Sequence, residues 1–294
     1  MIHDANGNIW FKGNLHTHST VSDGKLDPDA VFQLYKQNGY DFIALTDHYR
    51  FHKESVEAGG LLCLSGAEYD TGRDVWEGIY HITAIGCTEE PALSNAGEKP
   101  APQEIIDEIH RCGGLAVLAH PAWSMNTVEG IRALHDLDAL EIYNTVSGVP
   151  WNARPHSGDL VDRLALYDSF IPCIAADDAH FYTGDACRSF IMVKAKTCTR
   201  KALFEAIRRG DFYATQGPEF SVSVENGEVI VHCSPVRDVV FTSNIVYAAD
   251  RVTRGAHVME AHYRIKPGEH FVRVELTDAN GLRAWSSAIP VSNS

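Results

Sequence analysis

The sequence predicts an α/β fold in which a strand–helix alternating unit of about 210 residues is followed by a small all-β unit. Three observations carry this. Short apolar runs alternate with amphipathic stretches from Gly13 to Arg209. After Gly217-Pro218 the pattern changes to short alternating segments separated by turn signals. With 294 residues, 45% hydrophobic and 22% charged, the chain is long enough for a substantial core and has an ordinary globular composition.

The predicted strands cover 13–16, 42–46, 61–67, 81–86, 115–119, 139–143, 172–176 and 190–195. Five helices lie between them. The first, 27–38, opens on Asp27 as cap with Pro28 at the first helical position. The second, 102–111, carries Ile105, Ile106 and Ile109 at helical spacing. Stretches 127–135, 158–169 and 200–209 complete the set, and no helix is predicted past Gly210. This alternation implies a parallel sheet, as a barrel or doubly wound. Beyond it, strands at 220–224, 229–232, 239–242 and 271–276 are separated by Asn226-Gly227, Pro267-Gly268 and Asn280-Gly281. The expected units are 1–216 and 217–294, the second a small β-sandwich-like domain. Asp-Ala-Asn-Gly at 4–7 and 278–281 reads as a turn in both places.

A formal net charge of −14 argues against nonspecific nucleic-acid or membrane-surface binding. No run approaches the ~20 apolar residues of a membrane span. The start lacks the basic and apolar regions of a secretory signal, so the cytoplasm is the expected location. Seven cysteines, an odd number with no CxxC pair, read as buried reduced thiols.

The 15 histidines are out of line with the rest of the composition, and they are organised. His16-Thr17-His18 closes the first predicted strand, and Asp23 follows in the next loop. His48, Glu68, His120 and Asp178-Ala179-His180 fall at later strand ends, while His81 opens a strand. His16 and His18, two apart in extended chain, point to one side. In an α/β barrel, strand ends converge on one active face. These nitrogen and oxygen donors without cysteine suit zinc, manganese or iron(II). Nine donors exceed the needs of one ion, so two or three divalent ions are expected. Asp-x-His spacing favours Asp178 over Asp177 as the ligand. His52, His110, His135 and the tail histidines 232, 257, 262 and 270 read as surface or packing residues. Arg154, His156 and Arg188 sit in loops on the expected active face. The arginines are candidates for gripping a phosphate, and His156 for protonating the leaving oxygen. Trp123 and Trp151 read as packing residues, and Gly59-Gly60 and Gly113-Gly114 as turns.

These pieces, in this order, resemble the polymerase and histidinol phosphatase (PHP) superfamily of metal-dependent hydrolases. The matching motifs are His16-x-His18 with Asp23-Gly24, Thr46-Asp47-His48, Gly66-Ala67-Glu68, His81, Ala119-His120-Pro121 and Asp178-x-His180. Tyr213-Ala214-Thr215 extends the similarity to about residue 216. The resemblance implies a distorted seven-stranded (β/α) TIM-like barrel with a trinuclear centre. It assigns His16, His18, Glu68 and Asp178 to one metal. Glu68 would bridge to a second with His81 and His120, and Asp23, His48 and His180 would hold the third. Histidinol phosphatases usually carry His where this chain has Asp23, which points to the general phosphoesterase branch. The β tail resembles a branch that includes carbaryl-type ester and carbamate hydrolases. The expected activity is hydrolysis of a small anionic phosphate ester or nucleotide by a hydroxide between the metals. An ester, carbamate or amide hydrolase is the alternative, and a non-catalytic metal-binding module the third reading. The sequence carries no signal for oligomeric state.

Overall fold

The computed structural model describes residues 2–3, 7–57, 59–72, 78–94 and 96–291. Residues 4–6 of the first predicted turn lie outside them. The second turn is present, with Gly281 N–H donating to the Asp278 carbonyl at 3.2 Å. The apolar runs form strands buried on both faces, which is why they read as continuous rather than alternating. Phe42 and Ala44 point into one core, and Ile43 points out toward the helix Pro28–Gln37. Leu62 and Leu64 point in, and Leu61 and Cys63 out. Leu115 and Val117 face the same interior, while Ala116 and Leu118 face the helix Pro102–Arg111.

Five helices form at the predicted places. Asp27 caps the first by accepting from Ala30 N–H at 2.9 Å. Thr199 caps Arg200–Arg209, which ends at Gly210 with φ 74°. Two helices are shorter than expected, at Val128–Arg132 and Gly158–Ala165. Soon after each, a left-handed residue ends the turn: Asp136 at φ 61° and Asp168 at φ 57°.

The strands lie in two sheets. In the first, Ile9–Asn14, Phe42–Ala44 and Leu61–Leu64 run parallel. Phe190–Lys194 joins them antiparallel and pairs onward with Phe212–Thr215. In the second, Leu115–Leu118, Ala139–Asn144 and Cys173–Ala176 run parallel. Tyr80–Ile85 runs antiparallel to both of its neighbours, Gly66–Thr71 and Leu115–Leu118. The expectation of a purely parallel sheet is therefore corrected at Tyr80–Ile85 and Phe190–Lys194. Reversal of Tyr80–Ile85 has a use: His81, near its start, lies at the same end as the closing residues of the parallel strands.

Among the described residues the ladder does not close into one barrel, and the helices number five. The chain leaves the first sheet at Leu64 and enters the second at Gly66. A Cβ on Gly66 would come within 2.3 Å of the Leu45 carbonyl oxygen, so only glycine allows this crossing. Isolated bridges join the sheets at Thr17–Ala179 and His48–Glu68. The two sheets share an interior that includes Phe11, Phe42, Leu64, Val117, Ile174 and Ile191.

The tail continues the first sheet. Thr215 pairs with Ala284 and Ala214 with Trp285, and Glu228–Ser243 carries Val252–Arg264 and Phe271–Thr277 on its two sides. Trp285 is fully buried in the core beneath the helices, stacked on Tyr143 with centroids 5.1 Å apart. Buried Arg273 pairs with Asp162 through two bonds of 2.7 and 2.9 Å. All seven cysteines are free: Cys63, Cys87, Cys112 and Cys173 are buried, and Cys187, Cys198 and Cys233 half-buried. No described helix is long and apolar enough to cross a membrane.

Because Trp285 ties the tail to the helix-side core, Trp285→Ala is expected to cost about 3–5 kcal/mol of stability. Chemical denaturation followed by circular dichroism measures this. A loss below about 1 kcal/mol would show that the tail is only loosely attached.

Candidate metal centre

The nine predicted donors meet at one end of the two sheets. His16 and His18 follow the strand Ile9–Asn14, and Glu68 lies within Gly66–Thr71. His48 and Glu68 sit on the bridge between the sheets, as does Thr17 with Ala179 on the other. Asp178 N–H donates to the His16 carbonyl at 2.8 Å, and His18 N–H to the Ala179 carbonyl at 3.0 Å. The seams between the sheets are thus stitched at the donor residues. A Cβ on Gly24 would come within 2.6 Å of the His18 backbone, so glycine lets the loop carrying Asp23 fold over His18.

His16 Nε2 and His18 Nε2 each lie 3.1 Å from Asp178 Oδ1, and 3.4 and 3.2 Å from Glu68 Oε2. His81 Nδ1 is 2.8 Å and His120 Nε2 3.5 Å from Glu68 Oε1. His48 Nδ1 is 3.2 Å from Glu68 Oε2. Asp23 Oδ2 faces His180 Nε2 at 3.5 Å and His48 Nε2 at 3.9 Å. Four overlapping groups have donor atoms close enough to share an ion: His18, Asp23, His48 and His180; His16, His18 and Asp178; His16, Glu68 and His120; His48, Glu68 and His81. Asp178 Oδ1 and His48 Nδ1 are buried with no hydrogen-bond partner. Two buried lone pairs aimed into a cluster of nitrogen and oxygen donors fit a divalent cation.

Charge at the site is finely opposed. Burial alone would raise Glu68 and Asp178, but the surrounding imidazoles hold both carboxyls well below the usual range. Burial would also strip the protons from His16 and His18. The neighbouring carboxylates Asp178 and Glu68 reverse this and lift His18 to about 9. Burial leaves His48 below its ordinary value.

Other buried acids act as scaffold. Asp47 accepts from Ser19 N–H at 2.8 Å, Ser22 N–H at 3.1 Å and His52 Nε2 at 2.6 Å, which holds the loop before Asp23. Asp177 accepts from the backbone of Cys187, Arg188 and Ser189 and from the Tyr35 hydroxyl, so it faces away from the donors. Sequence reasoning missed Glu141 and Asn144. Glu141 Oε1 bonds His16 Nδ1 at 2.7 Å, and Oε2 accepts from His120 N–H at 2.8 Å and Asn144 Nδ2 at 2.7 Å. Asn144 also donates to Asp178 Oδ2 at 3.2 Å. A lone carboxylate inside the apolar run Ala139–Asn144 was the available signal. His120 and Asp178 both adopt positive φ, 29° and 54°, a strained backbone that such bonds hold in place.

A cavity of about 230 Å³ opens on the donors, lined also by Trp123, Val146, Ser147, Asn152 and Phe181. Arg154, Arg188 and His156 do not line it. Arg154 is exposed, and Arg188 is exposed with Nε donating to the Gly184 carbonyl at 3.1 Å. His156 forms an isolated bridge with Tyr143 and lies 3.6 Å from Glu275, with its ring 5.8 Å from that of Trp285. The tail draws it away from the donors. Trp123, read from the sequence as packing, is a cavity wall, and Trp151 stacks on Phe181 instead.

Glu141→Gln is expected to weaken metal binding about 10–100-fold with the fold intact, as removal of a carboxylate behind a histidine ligand does. Metal titration against a competing chelator measures it, and unchanged affinity would remove Glu141 from any positioning role. His18 holds its proton up to about pH 9 in the metal-free protein, so a cation must displace that proton. Loading near neutral pH should release protons, and affinity should fall as pH is lowered. Calorimetry in buffers of different ionisation heat reads this; pH-independent binding would contradict the arrangement.

No protein-family model matches the chain. An uncharacterized protein of Methanocaldococcus jannaschii is 25% identical over 167 residues, covering 53% of this chain and 89% of that protein. A two-domain protein from Bacteroides vulgatus, containing a predicted PHP-like metal-dependent phosphoesterase, aligns over 98% of this chain and 97% of its own, with TM-score 0.57 and 18% identity. An amidohydrolase from Chromobacterium violaceum, with bound sulfate and no metal, aligns over 59% of this chain and 89% of its own, with TM-score 0.42 and 15% identity. Full-length alignment with the Bacteroides protein shows that the chain shares the fold of that PHP-like protein.

Proposed function

We propose that the chain is a metal-dependent hydrolase that cleaves small phosphate esters at a centre of two or three divalent ions. One observation carries the reading: nine nitrogen and oxygen donors fall in four overlapping groups, seven of them lining one cavity, with Asp178 Oδ1 and His48 Nδ1 buried and unpaired. His16, His18 and Asp178 would hold one ion, Glu68 with His81 and His120 a second, and Asp23, His48 and His180 a third. Bound ions of this kind supply an activated water and charge neutralisation on a phosphoryl oxygen.

The chain's own residues do the rest. Glu68 presents both carboxylate oxygens, one to His81 and His120 and the other to His16, His18 and His48, so it is suited to bridging. Glu141 fixes His16 with Nδ1 engaged, leaving Nε2 as its donor atom. Trp123 covers His120 and His81 and narrows water access, with ring centroids 4.9 and 5.9 Å away. Proton delivery by His156 and phosphate grip by Arg154 or Arg188 are not supported by where these residues lie. A second reading, hydrolysis of an uncharged ester or carbamate, is favoured by one feature: among the described residues no Lys or Arg lines the cavity.

Chelator treatment should abolish hydrolysis of a phosphoester panel, and reloading with zinc, manganese or iron(II) should restore it. Glu68→Gln should lose at least one equivalent of metal by elemental analysis and more than ~100-fold in activity. Full metal content and near-normal turnover in Glu68→Gln would end the bridging assignment. Turnover of aryl esters with phosphoesters untouched would select the second reading.

A further inference from the structure

The cavity walls beyond the donors carry a signature of their own. Trp123, Val146 and Phe181 give it apolar surface. Its one side-chain amide is already spent: Asn152 Oδ1 accepts from Trp123 Nε1 at 3.0 Å, and Nδ2 donates to the Val146 carbonyl at 3.2 Å. That bond, with two near-perpendicular imidazole contacts, locks the Trp123 indole. Phe181 is 42% exposed and belongs to none of the buried clusters, yet its ring packs against aromatic neighbours. It lies 6.2 Å from the His180 ring and, within 5° of parallel, 6.2 Å from Trp151. An exposed phenyl held beside the donors by a parallel indole has no core to fill. Its open area is a surface for a ligand. Among the described residues no Lys or Arg lines the cavity, so beyond the metal donors a substrate meets mainly aromatic and apolar faces.

We propose that Phe181, backed by Trp151 and sharing the cavity with Trp123, is a platform for a flat aromatic group on the alcohol side of the scissile ester. The inference rests on the hydrolase reading above and specifies its substrate class. Stacking on such faces is tolerant of ring type, and one stacked ring is worth about tenfold or more in binding. The aromatic group is either a single aryl ring or a nucleobase, since both offer a π-face of the kind this wall recognises.

The test compares esters with leaving groups of similar basicity, so that chemistry does not mask binding. Benzyl and butyl phosphate are assayed with the metal-loaded protein, and benzyl- and butylphosphonate binding is measured by calorimetry. The benzyl compound is expected to be favoured about tenfold, through KM in turnover and through Kd in binding. Phe181→Ala and Phe181→Leu should collapse that ratio toward one, and Phe181→Tyr should restore it. Phe181→Leu keeps apolar area, so it separates stacking from simple burial. Adenosine monophosphate favoured over ribose phosphate by the same factor would identify a nucleobase. Preference confined to benzyl over butyl would identify a single ring. A ratio near one in the unmodified protein, or one unchanged in Phe181→Leu, would overturn the platform while leaving phosphoester hydrolysis standing. If neither phosphate is turned over but benzyl and butyl acetate are, the phosphoester reading fails and the acetate ratio decides the platform. Equal binding of the two phosphonates by a protein that turns over the phosphates would also overturn it.

Discussion

Glu68 and Asp178 are buried where the two sheets meet, and the surrounding structure is organised by what that burial costs. An ionised carboxylate taken out of water costs several kcal/mol even after relaxation. No Lys or Arg among the described residues lines the cavity to offset it. Six imidazoles do so instead, and they are groups that exchange a proton for a metal ion. The other buried acids mark the contrast. Asp47, Asp177 and Glu141 have their oxygens taken by backbone amides, hydroxyls, imidazole or Asn144. Asp178 keeps one oxygen unpaired. The saturated acids build the frame, and the unsaturated one faces the place where a cation belongs.

The same residues hold the fold together. Thr17–Ala179 and His48–Glu68 join the two sheets at the rim of the cavity, and no continuous ladder does so elsewhere among the described residues. Cation binding there would cross-link the seam as well as form a site, so metal content and stability should be coupled. The strained backbone at His120 and Asp178 fits this division. Glu141 anchors His120, and Asn144 anchors Asp178, from a strand that belongs to neither donor. The tail contributes from the opposite direction. Trp285 enters the helix-side core, and Glu275 and Trp285 flank His156, so a residue placed by sequence on the active face serves the packing between the two units.

Much of this was legible from residue order alone. The first helix was marked by its Asp27 cap and Pro28 and the second by helical spacing of isoleucines, and all five form at the expected places. The nine candidate donors stood out because histidines and carboxylates recur at the boundaries of apolar runs, and the structure brings them into four overlapping groups. Three kinds of information were not local. The direction of Tyr80–Ile85 depends on which strand it pairs with, and the run of apolar residues is the same either way. Closure of the sheet depends on a crossing at Gly66 that is set by the distance to Leu45. The fates of Arg154, His156 and Arg188 depend on side-chain direction within a loop, for which the sequence has no period to read. By itself the sequence determined the chemistry of the site, because donor type and strand-end spacing are properties of the chain. Only the tertiary structure decided which acids are saturated and which is left open, and which aromatic rings face the cavity, because those depend on partners more than a hundred residues apart, such as His16 with Glu141.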